Sequence, residues 1–361
     1  MTCLVTCGAG FIGSTFVKYL LKKNESVVVL DSLTYAGNLD NLFEYITDNN
    51  LLSTNRQGRL SMIEVDENQK IYHEYDFSAE KTRLNYKYSN YINNVVPIVD
   101  LAEVVSNKLS ENGLVFVNGS IVDKHVVNQL MSLCDTVINF AAETHVDRSI
   151  MSPDNFIKTD FYGTYVLLEA SKLNDNLNKF VQISTDEIYG SATDNSFVET
   201  DPINPSNPYS ASKAAADRLV FAYNQTYHLP INIVRLSNNY GPNQYPEKLI
   251  PLMIIKALRN ERLPIYGDGS AIRDWLYVKD AVRGIDLVVT KSEPGETYNI
   301  AGRNEKENIE VVQYILNRLH KPDSLIQYVS DRPGHDRRYS IDDSKIREQL
   351  GFTQLSSFKT N

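Results

Sequence analysis

The chain has 361 residues, with 36 Lys and Arg set against 45 Asp and Glu and a formal net charge of -9. That length buries a substantial core without staples and suggests two domains, or one large α/β domain with an added lobe. The acidic balance argues against a nucleic-acid partner, whose phosphates demand a clustered positive surface, and no apolar run approaches the roughly 20 residues that cross a bilayer.

Thr2 to Thr6 reads as a short buried strand, followed by glycines and then Phe11 to Lys23 with apolar residues at helical spacing (Phe16, Val17, Leu20, Leu21). Ser26 to Asp31 is a second apolar strand, so the chain opens βαβ. The alternation returns with Leu114 to Val117 before a helix near 123–132, Thr136 to Phe140 before one near 154–173, and Phe180 to Ser184 before one near 208–227; Ile231 to Leu236 is a further strand. Strands alternating with helices pair in parallel through right-handed crossovers, which predicts an α/β, Rossmann-type, doubly wound sheet. Beyond residue 240 the rhythm breaks into Pro- and Gly-punctuated segments with helices over Leu249 to Arg259 and Asn308 to Leu319. Residues 241–361 therefore read mainly as a smaller C-terminal lobe on a 1–240 sheet domain, with Val278 to Thr290 and Glu296 to Ile300 returning toward the sheet.

Residues 49–112 far exceed an ordinary connection of about 2–6 residues and read as an insertion. Within it, 60–65 and 70–75 alternate well enough for a hairpin, and 99–109 has helical spacing. Cys3, Cys7 and Cys134 are odd in number and lie in apolar stretches, which predicts reduced thiols. His73, His125, His145, His228, His320 and His335 form no i,i+4 pair, so no metal is expected. MTCLVTCGAGFIG enters the folded pattern without a basic leader, which predicts a cytoplasmic location.

Three motifs carry chemistry. Gly8, Gly10 and Gly13 spell GxGxxG between a strand and a helix, where the turn lets a pyrophosphate approach backbone amides at a positive helix end. Asp31 closes the next strand about 20 residues on, where a carboxylate accepts from a ribose 2′-OH and repels a 2′-phosphate, favouring NAD over NADP. Tyr209 and Lys213, in YSASK, share one helix face, and an ammonium there is expected to lower the phenol's pKa and make it a base for a sugar hydroxyl. With the nucleotide fingerprint this pair points to a short-chain dehydrogenase/reductase. Ser184-Thr185-Asp186-Glu187 ends an apolar strand, where substrates of open α/β sheets bind; adjacent carboxylates push each other's pKa apart and supply an acid beside a base.

At these residues the chain resembles the dTDP-glucose 4,6-dehydratases of the extended short-chain dehydrogenase/reductase superfamily. The matching segments are CGAGFIGS (7–14), DSLTYAGNL (31–39), NFAAETHVDRSI (139–150), STDEIYG (184–190), NPYSASK (207–213), RLSNNYGPNQYPEKLIP (235–251), LPIYGDGSAIRDWLYV (263–278) and DRPGHDRRYSID (331–342). The resemblance implies a redox-neutral dehydration with held NAD. Tyr209 takes the O4 proton as C4 hydride leaves, Thr185 bonds that oxygen, Glu187 removes the C5 proton, Asp186 protonates the departing C6 hydroxyl, and Lys213 binds the nicotinamide ribose. NAD is expected at Gly8, Gly10, Phe11, Ile12, Gly13, Asp31, Ser32, Leu33, Thr34, Ser120, Ile121, Ala141, Ala142, Glu143, Thr159 and Asn238 besides Tyr209 and Lys213. The nucleotide-sugar is expected at Thr144, Thr185, Asn239, Lys248, Leu249, Arg273, Asn308, Asp331, Arg332, Pro333, Gly334 and His335, with Pro264, Ile265 and Tyr266 at the base. Lys248 and Arg273 suit a diphosphate. A homodimer is expected as well.

The chain departs from the family pattern where Cys7 replaces the leading glycine, where Ser120 replaces an aspartate facing adenine, at 49–112, and in a C-terminus that reads as shortened after Gly351-Phe352. UDP-glucose is an alternative substrate, since one methyl group separates the two bases. A 4-epimerase or a uronate decarboxylase shares the cradle and YxxxK without needing Asp186-Glu187, and a non-catalytic nucleotide-binding protein is the reading from another class.

Overall fold

The computed structural model describes residues 1–47, 49–55, 64–65, 71–72, 95–356 and 358. They fall into two compact units that interleave along the chain: Met1–Ala142 with Tyr162–Phe180, and Glu143–Phe161 with Val181–Asn361.

In the first unit β1 (Thr2–Thr6), α1 (Phe11–Lys22) and β2 (Ser26–Asp31) form the predicted βαβ start. Cys3 to Thr6 and Val27 to Asp31 are all buried, which explains why both strands read as apolar runs rather than alternating ones: a parallel strand is covered on both faces. Phe16, Val17 and Leu20 turn inward from α1. There follow β3 (Leu51–Asn55), β4 (Glu64–Val65), β5 (Ile71–Tyr72), β6 (Val95–Pro97), α2 (Leu101–Asn112), β7 (Leu114–Asn118), α3 (Lys124–Met131) and β8 (Thr136–Asn139). The strand order is β8-β1-β2-β7-β3-β6, with every neighbour parallel. Order reverses at β1, which has β2 on one side and β8 on the other, so the loop after β1 opens at the switch point where such sheets bind ligands.

Residues 49–112 contribute to this sheet at both ends. β3 pairs with β7, β6 pairs with β3, and α2, which fulfils the helical spacing over 99–109, leads into β7 through Gly113 at φ 67°. The hairpin expected over 60–65 and 70–75 lies largely outside the described residues; its described part, β4 and β5, pairs antiparallel.

α4 (Val146–Met151) and α5 (Asp154–Phe156) lead into a π-helical turn over Ile157–Gly163, and α6 (Thr164–Ser171) returns to the first unit. The single helix predicted near 154–173 is thus three pieces. β9 (Lys179–Thr185) is wholly buried and ends in a 3-10 turn over Asp186–Tyr189. α7 (Pro208–Tyr227) starts at a capping box: the Asn207 side chain accepts from Ser210 N, the Ser210 hydroxyl accepts from Asn207 N, and Pro208 takes the first position, where no amide is needed. β10 (Ile231–Leu236), β11 (Asn238–Tyr240), α8 (Leu249–Leu258), β12 (Leu263–Tyr266), β13 (Ile272–Tyr277), α9 (Val278–Lys291), β14 (Thr297–Ile300), β15 (Glu305–Glu307), α10 (Asn308–Arg318), β16 (Ile326–Val329) and α11 (Ser344–Leu350) complete the unit. β14-β10-β9 run in that order, and β14 pairs in parallel with β10. β11, β13 and β15 form one small sheet, β12 and β16 another. They pack on a core of Met253, Trp275, Val311, Val312, Leu316 and Phe358. The fold is Rossmann-type, with helices alternating along a large parallel sheet.

Candidate active site

The glycine turn belongs to the first unit. A Cβ on Gly13 would stand 2.2 Å from the Cys7 carbonyl oxygen, and one on Gly8 2.6 Å from Val29 Cγ1, so both positions are closed to any side chain. Cys7 takes up the left-handed backbone at φ 53° that a glycine would adopt without strain; this is the form the departure from the family pattern takes. No side chain caps α1, and helix geometry leaves its first amides, at Phe11 and Ile12, for an outside acceptor. Asp31 accepts from Ala9 N at 2.9 Å and Leu33 N at 2.8 Å, so it braces both the glycine turn and the bend through Ser32, Leu33 and Thr34. Burial raises its pKa, these two amides oppose the rise, and a carboxylate so held keeps further lone pairs for hydroxyl donors. Ser120 accepts from Val122 N at 3.3 Å, Ile121 is buried, and Ala141 N donates to Thr6 Oγ1 at 3.0 Å beside Ala142. Glu143, Thr159 and Asn238, expected with these residues, belong to the second unit.

The second unit gathers the groups expected to move protons. Thr185 Oγ1 donates to Asp186 Oδ1 at 3.2 Å, accepts from Glu187 N at 3.3 Å, and its side chain hydrogen-bonds Tyr209. Thr185 therefore links the turn that carries Asp186 and Glu187 to the phenol of Tyr209 on α7. Burial pushes the Asp186 carboxyl well above its ordinary range; the neighbouring Glu187 and Asp274 carboxylates push further, and Arg273 only partly opposes them. Burial also raises Glu187, but Arg273, Arg332, Lys248 and a bond from Tyr339 all favour its anion. The neighbouring charges thus disfavour the Asp186 anion and favour that of Glu187, while burial raises both carboxyls.

Tyr209 departs from expectation. Its pKa lies well above the ordinary phenol value, first because of burial and then because of Glu187 and Asp160. Lys213 Nζ donates to the Ile183 carbonyl at 2.7 Å, so part of its charge is spent on the backbone. The predicted lowering by the ammonium is not the net effect in the protein alone; the spacing on α7 is as read, and burial outweighs it.

Of the residues expected around the sugar nucleotide, Lys248 donates to the Thr144 carbonyl at 2.9 Å and precedes Leu249 at the start of α8. Arg273 is buried on β13, donates to the Asp336 carbonyl at 3.0 Å, and lies 4.0 Å from the Tyr339 ring centroid. Tyr266, beyond Pro264 and Ile265 on β12, donates to Asp147 at 2.9 Å, and Arg332 stands 3.6 Å from the same carboxylate. His335 meets Asp331 at 2.6 Å across the turn of Pro333 and Gly334. The buried polar atoms of the second unit without a hydrogen-bond partner among the described residues include Ser184 Oγ, Asp186 Oδ2, Asn238 Oδ1, Asn239 Oδ1, Asn308 Oδ1 and Arg332 Nε. Leaving such an atom unpaired costs about 1–3 kcal/mol, so each of these is a candidate contact for a polar ligand. No cluster of metal-ligating side chains occurs among the described residues.

Sequence reading missed two participants. Tyr339 is fully buried, with its hydroxyl 3.3 Å from Glu187 Oε2 and 3.0 Å from Asp336 Oδ2, so its single proton is shared between two carboxylates; it sits inside the DRPGHDRRYSID segment, just past the residues singled out there. Asp160 accepts from Glu143 N at 2.8 Å and from Ser212 Oγ at 2.7 Å, and nothing but its neighbour Thr159 marked it.

Residues 83–361 match the family described as GDP-mannose 4,6 dehydratase. The dTDP-glucose 4,6-dehydratase of Neisseria gonorrhoeae is 42% identical over 99% of this chain and 92% of its own length. The low-salt glycan biosynthesis protein Agl12 of Haloferax volcanii is 40% identical over 99% of this chain and 95% of its own. A solved dTDP-glucose 4,6-dehydratase of Streptomyces venezuelae with NAD bound superposes with a TM-score of 0.79 at 36% identity, covering 99% of this chain and 94% of that one. With a glycine turn closed to side chains in one unit and an acid, a base and a phenol joined in the other, the chain belongs to the nucleotide-sugar 4,6-dehydratase family that includes the dTDP-glucose 4,6-dehydratases.

Proposed function

We propose that the protein converts dTDP-D-glucose to dTDP-4-dehydro-6-deoxy-D-glucose. The observation that carries this reading is the adjacent, unequal pair at the end of β9: Asp186, whose carboxyl is pushed well above its ordinary value by burial and two neighbouring carboxylates, beside Glu187, whose rise by burial is opposed by Arg273, Arg332 and Lys248. An epimerase has no use for such a pair, whereas elimination across C5 and C6 needs a base at one carbon and an acid at the next.

The cradle fits NAD: side-chain-free glycines at the turn, uncapped amides at Phe11 and Ile12, and Asp31 placed for a 2′-hydroxyl rather than a 2′-phosphate. Gly8, Gly10, Phe11, Ile12, Gly13, Asp31 to Thr34, Ser120, Ile121, Ala141 and Ala142 would hold it, as would Glu143, Thr159, Tyr209, Lys213 and Asn238. NAD bound there would supply a reversible hydride acceptor for the oxidation at C4 and the reduction at C6, which makes the overall reaction redox-neutral.

The chain's own residues manage the protons. Tyr209 takes the O4 proton while Thr185 bonds that oxygen. A phenol whose pKa burial has raised is a strong base once ionised, and a cationic cofactor ring would favour that ionisation. Oxidation at C4 acidifies C5; Glu187, whose anion Arg273, Arg332 and Lys248 favour against the effect of burial, removes the C5 proton, and Asp186, with Oδ2 unpartnered, gives its proton to the leaving C6 hydroxyl. Thr144, Asn239, Lys248, Leu249, Arg273, Asn308 and Asp331 to His335 hold the sugar and diphosphate, and Pro264 to Tyr266 the base. Residues 1–240 thus serve mainly the cofactor and 241–361 mainly the nucleotide-sugar.

The chain works as a homodimer in the cytoplasm. Ile150, Met151, Ile157, Phe161, Phe221 and Tyr227 leave apolar surface exposed on α4, the π turn and α7, which supports helix packing against a second copy. No helix among the described residues is long and apolar enough to cross a membrane.

Side-by-side incubation with dTDP-glucose and UDP-glucose tests the reading. A 4-keto-6-deoxy product is expected, with a higher kcat/KM for the thymidine nucleotide. Formation of the galactose epimer instead would overturn the dehydratase assignment, and equal kcat/KM would overturn the base preference.

A further inference from the structure

Asp160 has no part in the proton transfers above, yet it is 1% exposed and lies in the second unit against the helix that carries Tyr209 and Lys213. A π-helical turn over Ile157–Gly163 presents it there; such turns insert one residue into a helix and are common where a side chain must be placed out of the ordinary register. One carboxylate oxygen accepts from Glu143 N at 2.8 Å, the other from Ser212 Oγ at 2.7 Å. Ser212 immediately precedes Lys213, and its hydroxyl also lies 2.7 Å from the Tyr209 carbonyl. A single hydroxyl proton cannot fully serve both acceptors. If Asp160 is anionic it competes for that proton; if Asp160 is protonated, the hydroxyl is released to Tyr209 O.

The charged groups around Asp160 are Lys213 and Tyr209 on α7 and Glu143 ahead of α4, with Glu187 and Asp186 acting on the same phenol. Burial lifts Asp160 to about 7, against the pull of Lys213, the Ser212 hydroxyl and the Glu143 amide. Its anion in turn makes the Tyr209 phenolate harder to form.

We propose that Asp160 is a titratable positioning residue: through Ser212 and Glu143 it ties the Tyr209–Lys213 helix to the segment before α4, and its charge sets the pH range in which Tyr209 exchanges the O4 proton. The role in catalysis rests on the dehydratase reading, whereas the titration of Asp160 does not.

Two readouts separate them. Difference infrared titration of wild type minus Asp160→Asn should show a protonated-carboxyl band that disappears between roughly pH 6 and 8. Absence of that band already at the acid end would overturn the proposal whatever the enzyme's activity. With the NAD-loaded enzyme, Asp160→Asn keeps an acceptor for Glu143 N but removes the charge, so the acid limb of kcat should move to lower pH by about one unit, with KM little changed. Ser212→Ala leaves the charge but removes a hydrogen bond to the anion, so the carboxyl band should persist to higher pH. Profiles of wild type and Asp160→Asn that superimpose would overturn the proposal. A band that titrates as described in a protein that forms no 4-keto product would sink the dehydratase reading and, with it, the catalytic role, while leaving Asp160 as a buried titrating group.

Discussion

The glycine turn and the acid–base cluster solve opposite problems. At the turn the useful groups are backbone amides, and the sequence clears side chains away: a methyl at Gly13 would meet a carbonyl oxygen at 2.2 Å. At the end of β9 the useful groups are side chains: burial raises both carboxyls and the charges around them set the two apart. The first site is fixed by sterics and tolerates almost no substitution. The second is fixed by balances of charge and desolvation, so isosteric changes there should alter chemistry while leaving the fold intact.

Gly13→Ala gives the largest expected effect: protein that fails to fold or is purified without NAD, read from the nucleotide released on denaturation. Full NAD occupancy in that variant would contradict the steric account. Glu187→Gln should lower kcat by about 10²–10⁴-fold and abolish solvent deuterium exchange at C5, while some C4 oxidation survives. Unchanged exchange would remove Glu187 from the base role.

Stability adds a pH-dependent test of the second site. Asp160 has a folded pKa of about 7 against an ordinary 3.8, so the native state holds its proton more tightly than the unfolded chain does. That contribution is complete below the unfolded value and is lost as pH rises to about 7. Asp160→Asn, which has no proton to lose, should therefore gain on the wild type between pH 4 and 7 by on the order of a few kcal/mol, visible as a Tm difference that widens with pH. A constant difference would mean that Asp160 is ionised throughout. Cys7→Gly should have the smallest effect: relief of a φ of 53° is worth about 1 kcal/mol, offset in part by glycine's entropy, so Tm should rise by about 1–2 °C.

What was legible in the sequence follows the same division. The βαβ start was readable because parallel strands are apolar throughout and GxGxxG has one compatible geometry between a strand and a helix. Asp186, Glu187, Tyr209 and Lys213 were readable as positions, because adjacency and an i,i+4 spacing survive folding. Their proton affinities were not: the ammonium at Lys213 is local in sequence, but the burial that raises Tyr209 comes from many distant residues. The break in the helix predicted near 154–173 leaves no Gly or Pro signal at Ile157 to Asp160, so the turn that places Asp160 was invisible. β3 and β6 were read as part of an insertion because LLSTN and VVP are too short to show a pattern of their own.

The central claim is that oxidation at C4, proton removal at C5 and loss of the C6 hydroxyl occur on one bound sugar. The most direct measurement uses dTDP-glucose carrying deuterium at C4, turned over in ordinary water and read by mass spectrometry and NMR. The account predicts a 4-keto-6-deoxy sugar with the label at C6 and no net reduction of NAD; a hexose epimer with the label still at C4 would contradict it.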